Sequence, residues 1–298
     1  MQIHTIDLNY QGKPNVTVAY LVVGTSGPVL VETGPGSTLK TLHEQLVQHG
    51  FAPQDVKHLL VTHIHLDHAG AAGWWAQQGT QVYVHHIGAP HLIDPSKLLA
   101  SATRIYGDKM DELWGEFLAS PAERVTPVYD GDEIQVAGLT FTAIETPGHA
   151  NHHHVYQLGD VAFTGDAAGI CLPGSPLRDL PAPPPEFNWE VWQETIAKMK
   201  AHNFRRIYPT HAGPVDEVNQ HLDEFRELLN AAALFIHDHM QQGTSRDELV
   251  DIYVQWNRDR AAAMGVSGDD FERYATANPF YMSVDGIMRY WKKREGNS

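Results

Sequence analysis

Short apolar runs bounded by turn residues dominate the earlier part of the chain. Ile3–Leu8, Val16–Val23 and Val29–Glu32 read as strands, separated by turns at Gly12-Lys13-Pro14 and Ser26-Gly27-Pro28. Leu39, Leu42, Leu46 and Val47 share one helical face, which Gly50 ends. Val56 to Thr62 is a short apolar segment of the kind that forms a buried strand. The small residues Ala69-Gly70-Ala71-Ala72-Gly73 follow, permitting close packing as a helix starts toward Trp74 and Trp75. A second half repeats the theme: Glu133–Val136, Leu139–Glu145, His154–Leu158 and Val161–Thr164 are strand-like, with Ala137-Gly138 and Gly159-Asp160 as hairpin turns. Trp189, Trp192, Ile196 and Met199 have helical spacing, with Asn188 placed as N-cap. Two mixed β/α halves predict an α/β protein with two sheets packed face to face and helices outside.

The pattern changes twice more. Leu172 to Phe187 holds Pro173, Pro176, Pro181, Pro183, Pro184 and Pro185, so it is expected to be a stiff, extended loop. Residues 216–298 turn helical. Val218, Leu222, Phe225, Leu229, Ala232 and Ile236 step by three and four along one face. Ser245-Arg246-Asp247-Glu248 is a capping box opening a second helix with Leu249, Ile252 and Trp256. Asn278-Pro279 opens a third, with Tyr281, Val284, Met288 and Trp291. This appendage reads either as a cap over a site or as a homodimer contact, and the sequence does not separate the two.

Composition narrows the function. The 298 residues carry 21 Lys plus Arg against 36 Asp plus Glu, a formal net charge of −15. Nucleic-acid binders show a basic footprint, so this balance argues against a nuclease. The segment Met1 to Asp7 lacks a basic start and an apolar core, so no secretory signal is expected. No apolar run approaches the ~18 residues of a membrane span. The single cysteine, Cys171, excludes an internal disulfide. These features together predict a cytoplasmic protein acting on a small molecule, without membrane or nucleic-acid partners.

Residues 62 to 68 read Thr-His-Ile-His-Leu-Asp-His. Three imidazoles and a carboxylate so close together are costly to bury unless something charged or polar compensates their desolvation. They are also good ligands for a divalent metal of zinc type. His63 and His65, two apart on an extended or looped backbone, can point the same way. Asp67 and His68 can be turned toward a second ion beside the first. His149 after Thr146-Pro147-Gly148, Asp166 after Thr164-Gly165 and His211 within Pro209-Thr210-His211-Ala212-Gly213 would each, alone, pass for turn or strand-end residues.

Taken in order, these motifs resemble the metallo-β-lactamase superfamily, whose signature is His-x-His-x-Asp-His. The resemblance spans about residues 20 to 215 and implies a four-layer αββα sandwich with metals at one edge of the sheets. It implies a catalytic domain at 1–215 and a helical region at 216–298 packed on it. Carried over residue by residue, His63, His65 and His149 would hold one metal. Asp67, His68 and His211 would hold the other, with Asp166 shared. The ions would be two divalent metals, zinc first, with iron or manganese as alternatives. Val31-Glu32-Thr33-Gly34 departs from the family, which usually has Asp before Thr-Gly; this touches a group behind the ligands and not the ligands themselves. His153, four residues past His149, matches a histidine often found there and is read as a structural hydrogen-bonding group, in preference to a third metal site built from His152, His153 and His154. Thr-Pro-Gly-His and the two-metal set point toward the glyoxalase II-like branch, although several branches share them. Starting just after Asp166, the proline-rich loop is expected to pass near the metal edge.

The implied chemistry is hydrolysis by hydroxide held between two ions, with Asp67 as the catalytic group that orients it. No general acid stands out, which suits thioesters, esters and lactones with good leaving groups. Three other classes stay in view: a phosphodiesterase or nuclease, a persulfide dioxygenase with one iron, and a flavodiiron-type oxidoreductase. The last is expected to have a carboxylate where His65 stands. A non-enzymatic metal-bound interaction protein is disfavoured because no ligand position is lost. Some metallo-β-lactamases use a cysteine ligand, but here Asp67 already fills the aspartate position, so Cys171 is read as a small apolar residue beside the site.

Overall fold

The computed structural model describes residues 2–296; Met1, in the expected signal-free start, and residues 297–298 of the expected helical region lie outside the described residues. The chain forms two compact units, residues 1–145 with 152–165 and residues 146–151 with 166–298.

In the first unit four predicted strands and two that the sequence patterns do not assign form one sheet in sequence order: β1 (Gln2–Asp7), β2 (Val18–Gly24), β3 (Gly27–Val31) and β4 (His58–Leu60), then the unassigned β5 (Gln81–His85) and β6 (Val125–Val128). The first three pair antiparallel through tight turns, and β3 to β6 pair parallel. Parallel neighbours need crossovers, and helices supply them. These are α1 (Leu39–Gln48), then α2 (Leu66–Ala69) and α3 (Ala72–Gln77), then α4 (Ala89–Ile93), α5 (Ser96–Tyr106) and α6 (Met110–Trp114). The sequence patterns assign no element between Ala76 and Asp132. Strand β5 does carry a signal there, since Val82 and Val84 are buried two positions apart with Gln81 and Tyr83 less buried, whereas the short helices α4 and α6 bury too few residues to show a period.

A meander follows: β7 (Glu133–Val136), β8 (Leu139–Glu145), β9 (His154–Leu158) and β10 (Val161–Gly165) lie in the order β10-β9-β8-β7. Leu21, Leu30, Leu59 and Val82 of the first sheet pack with Leu42, Leu46 and Trp75 of the helices. Each such fully buried side chain contributes roughly 1.5–3 kcal/mol. On the other face, Tyr20 meets Phe163 of the meander with ring centres 5.4 Å apart. The Tyr156 hydroxyl donates to the Val61 carbonyl at 3.2 Å, closing the two sheets of this unit beneath the histidine run.

The second unit is mostly helical: α7 (Trp189–Ala201), β11 (Arg206–Pro209), α8 (Val218–Gln241), α9 (Arg246–Ala263), α10 (Gly268–Ala277) and α11 (Phe280–Arg294). The Asn188 and Ser245 side chains cap α7 and α9 by accepting from the amides of Val191 and Glu248, as their sequences suggest. Among the described residues four helices stand past residue 216, where the sequence pattern gives three. The extra one, α10, buries only Phe271 and Tyr274, too few to show a periodicity. The apolar face of α8 meets α7, where the rings of Phe225 and Trp192 lie 5.4 Å apart. The Trp291 indole donates to the Ala233 carbonyl at 3.0 Å, fixing α11 on α8.

The proline-rich segment is extended, as expected, and is pinned by these helices. Tyr274 donates to the Leu177 carbonyl at 2.6 Å, Ser283 to the Leu180 carbonyl at 2.6 Å, and Asn278 to the Asp179 carboxylate at 2.8 Å. Among the described residues no helix is long and apolar enough to cross a membrane.

Candidate metal centre

Strand β4 is only three residues long, and the chain leaves it into the histidine run. His63 sits in the loop, His65 takes an extended conformation (φ −62, ψ 154) as N-cap of α2, and the single turn of α2 carries Asp67 and His68. The loop therefore gathers four of the expected ligands within one unit. His63 Nε2 lies 2.9 Å from His65 Nδ1, and the His63 and His68 ring centres are 4.0 Å apart. His63 and His68 are wholly buried. The His153 ring stands 4.8 Å from His63. A Cβ at Gly165 would come within 2.4 Å of Thr62 Oγ1 and 2.7 Å of His153 Nε2, so this close approach needs glycine, as does its φ of +49.

Hydrogen bonding behind the loop sets the state of the imidazoles. Glu32 accepts from the Thr62 hydroxyl at 2.5 Å. A carboxylate only accepts, so the one hydroxyl proton is committed, and the Thr62 oxygen must accept from His63 Nδ1, 3.0 Å away. His63 is thereby held with its proton on Nδ1 and its Nε2 unprotonated, the form that ligates a cation. The same Glu32 oxygen faces His68 Nδ1 at 3.4 Å, which favours the same tautomer there. Glu32 is wholly buried and holds φ at +68, an unfavourable backbone region for a residue with a side chain. Such a conformation costs about 1–3 kcal/mol and is retained where a site requires it. The departure from the family's Asp thus keeps a carboxylate that accepts from Thr62, behind His63, and faces His68 directly.

Tyr10 was not singled out by its sequence. Its phenol is raised well above its ordinary range, by burial first and with the Asp67 carboxylate adding to the effect. A neutral phenol in the neighbourhood of Asp67 had no sequence signal, since it depends on the 3-10 turn Tyr10–Gly12.

The second unit holds the other three expected ligands. His149 follows Gly148, where a Cβ would come within 2.4 Å of Trp192, so the helix α7 presses directly on this turn. His149 Nδ1 lies 2.7 Å from the Pro181 carbonyl. A carbonyl only accepts, so Nδ1 carries the proton and Nε2 is left unprotonated. That Nε2 faces Asp166 Oδ2 at 3.4 Å, while His211 Nε2 faces the other oxygen, Oδ1, at 3.7 Å. His149, Asp166 and His211 are all nearly inaccessible. The proline-rich segment thus contributes directly, through Pro181, to the orientation of a candidate ligand.

These spacings fit metal ligation. Two atoms bound at the ~2.0–2.1 Å of zinc–nitrogen and zinc–oxygen bonds in a tetrahedron stand about 3.3–3.4 Å apart. Asp166 Oδ2 and His149 Nε2 match this separation. A buried carboxylate whose two oxygens each face a different imidazole nitrogen has the donor arrangement of a bridging ligand. Cys171 is half-buried, and burial pushes its thiol pKa up, with the Glu224 carboxylate assisting and Arg178 opposing. A thiol held in its neutral form is a poor ligand.

The sequence model of the Metallo-beta-lactamase superfamily matches residues 12–211, and the chain belongs to that family. A metallo-beta-lactamase fold-containing protein of Sulfurisphaera tokodaii is 24% identical over 228 residues, covering 74% of this chain and 83% of that protein. An atrochrysone carboxyl ACP thioesterase of a Cryptosporiopsis species is 25% identical over 206 residues, covering 68% of this chain and 51% of the relative. The chain therefore spans about half the length of that thioesterase. Among solved structures, a metallo-beta-lactamase family protein from Thermus thermophilus superposes with a TM-score of 0.67 at 21% identity, covering 99% of this chain and 94% of that one. The expected fold is thereby established, C-terminal helices included.

Proposed function

We propose that this member of the metallo-beta-lactamase superfamily is a metal-dependent hydrolase of a small acyl compound, thioester or ester ahead of lactone, built on one dinuclear centre. The observation that carries the reading is Asp166: its two oxygens face the Nε2 atoms of two different histidines. In the proposed assignment His63, His65 and His149 hold one ion, Asp67, His68 and His211 hold the other, and Asp166 serves both. The pre-set tautomers of His63 and His149 support it, since each leaves the required lone pair unprotonated.

Two divalent ions, zinc first, supply when bound a water acidified to a pKa of about 7 and an electrophile for the substrate oxygen. The protein's own residues do the positioning. Asp67 accepts a hydrogen bond from the attacking water and directs it at the acyl carbon. Glu32 and Thr62 keep the His63 ring from rotating, and Pro181 does the same for His149. Trp192, whose ring centre lies 5.6 Å from that of His149, excludes solvent from this side. The net charge of −15 disfavours polyphosphate substrates. The relative named as an acyl-carrier thioesterase supports an acyl substrate for this chain also.

The test is metal analysis of the purified protein together with kcat/KM on thioesters, esters, lactones, β-lactams and phosphodiesters. Two equivalents of metal and a preference for an acyl substrate are expected. One equivalent of iron with oxygen consumption would replace the reading with a dioxygenase. Phosphodiester turnover ahead of every acyl compound by a hundredfold, about 2.7 kcal/mol, would replace it with a phosphodiesterase.

A further inference from the structure

A second cluster of metal-type side chains lies within the first unit, apart from the seven residues above. His85 ends β5, Glu145 ends β8 and His154 begins β9. Glu145 and His154 are direct partners in the antiparallel β8–β9 pair, so the ladder itself places them side by side. His85 comes from the other sheet of the same unit. One ligand-type atom from each of the three lies within 4.8 Å of the others. His85 Nε2 stands 3.3 Å from Glu145 Oε1, and the rings of His85 and His154 are 4.3 Å apart. The 3.3 Å separation is again the edge of a tetrahedron of ~2.0–2.1 Å bonds.

Burial is graded across the cluster. The His85 and His154 side chains are sealed, at 2% and 0% exposure, while Glu145 is 36% exposed and opens the cluster to solvent. His86 lines the same opening, its Nδ1 3.8 Å from Glu145 Oε1 and its ring stacked on Tyr129. Burial, with His86 and His152 nearby, draws the His85 pKa down to about 3, so its imidazole is neutral under ordinary conditions. Two imidazoles and a carboxylate with one side open are the donor set of a three-ligand zinc site with a vacant fourth position.

We propose that His85, Glu145 and His154 form an additional site for a divalent cation of zinc type, joining the first sheet to the meander. The set is nominally His₂Glu, on three strands, which restricts the motion of every ligand. One contact sets its strength. The Ile87 amide donates to His85 Nδ1 at 3.1 Å, so in the metal-free protein the single imidazole proton sits on Nε2 and points at Glu145. Binding moves that proton to Nδ1 and breaks the Ile87 hydrogen bond; no proton is released from His85. The site is therefore weaker than one whose histidines are already in the ligating tautomer, as His63 and His149 are.

The experiment is equilibrium dialysis of the full chain and of its Glu145→Gln and His85→Gln variants against buffered free Zn²⁺, with bound zinc read by elemental analysis. The wild type is expected to bind one equivalent more than either variant, and Zn²⁺ titrated into protein already holding its tighter equivalents is expected to raise Tm only in the wild type. An Asp166→Asn variant keeps the extra equivalent, so the difference reads this site whether or not the dinuclear assignment stands. Glu145 is half-buried at a strand end, so its variant keeps the fold even if the His85 variant does not. Equal zinc content in the wild type and Glu145→Gln at saturating Zn²⁺ overturns the proposal.

Discussion

Replacing Glu32 by Gln keeps the shape of the side chain and removes only its charge and acceptor-only character. In the wild type one carboxylate oxygen accepts from Thr62 Oγ1 at 2.5 Å and faces His68 Nδ1 at 3.4 Å. A hydrogen bond to a charged group contributes about 1.5–3 kcal/mol, against about 1 for a neutral pair. The Thr62 contact is short and loses most of that difference, and the His68 contact is long and loses less. Together they amount to about 2 kcal/mol, roughly 30-fold in metal affinity. The fold should survive, because the amide oxygen of the new side chain still accepts from Thr62. The assay is competition between the zinc-loaded protein and a chromogenic chelator, with far-UV circular dichroism as control. Thr62→Val interrupts only the branch to His63 and should cost less. The double variant should cost less than the sum of the two, because both changes act on one chain of hydrogen bonds. Unchanged zinc affinity and release rate in Glu32→Gln would refute the tautomer argument.

Further outcomes follow from the same geometry. Asp67→Ala should remove most turnover while the protein stays folded and keeps metal, whereas Cys171→Ala should keep its full metal content and most activity; an emptied metal site in the cysteine variant would show the ligand assignment to be wrong. Ending the chain at Glu217 removes Phe225 and Trp291, partners of α7 in Trp192 and Trp189, and should give aggregation; a soluble, equally active fragment would show that α8–α11 are dispensable. His221 is buried, donates to the Ala168 carbonyl, and has its pKa lowered from 6.5 to about 4, by burial first and then by Arg178. A lowered pKa means the unfolded chain takes the proton first, so the neutral ring's contribution is full above 6.5 and is lost as pH falls toward 4. The slope is at most about 1.4 kcal/mol per pH unit, and Tm of His221→Gln should fall less steeply across that window than that of the wild type.

The residues that carry chemistry are legible in the amino-acid order because their types and spacing are local facts. Three imidazoles and a carboxylate after an apolar strand leave few alternatives to a metal, and the order of Thr-Pro-Gly-His, Thr-Gly-Asp and Thr-His-Ala-Gly pointed to the family. Most strands and the α7, α8, α9 and α11 helices were visible for the same reason, since each has its own period, and α7 and α9 also have a capping side chain. What the sequence could not hold is anything set by pairing between distant segments. The α10 helix buries two residues in ten and gains its place from Tyr274 bonding to Leu177, across the proline-rich segment. Which nitrogen of His63 is left unprotonated depends on Glu32, thirty-one positions earlier, and that of His149 on the Pro181 carbonyl. His154 reads in sequence as one member of a histidine triplet; only the β8–β9 register sets it beside Glu145, and only the closing of two sheets brings His85 to both. Residue type decides what a side chain can do, and tertiary pairing decides which atom of it is left to do so.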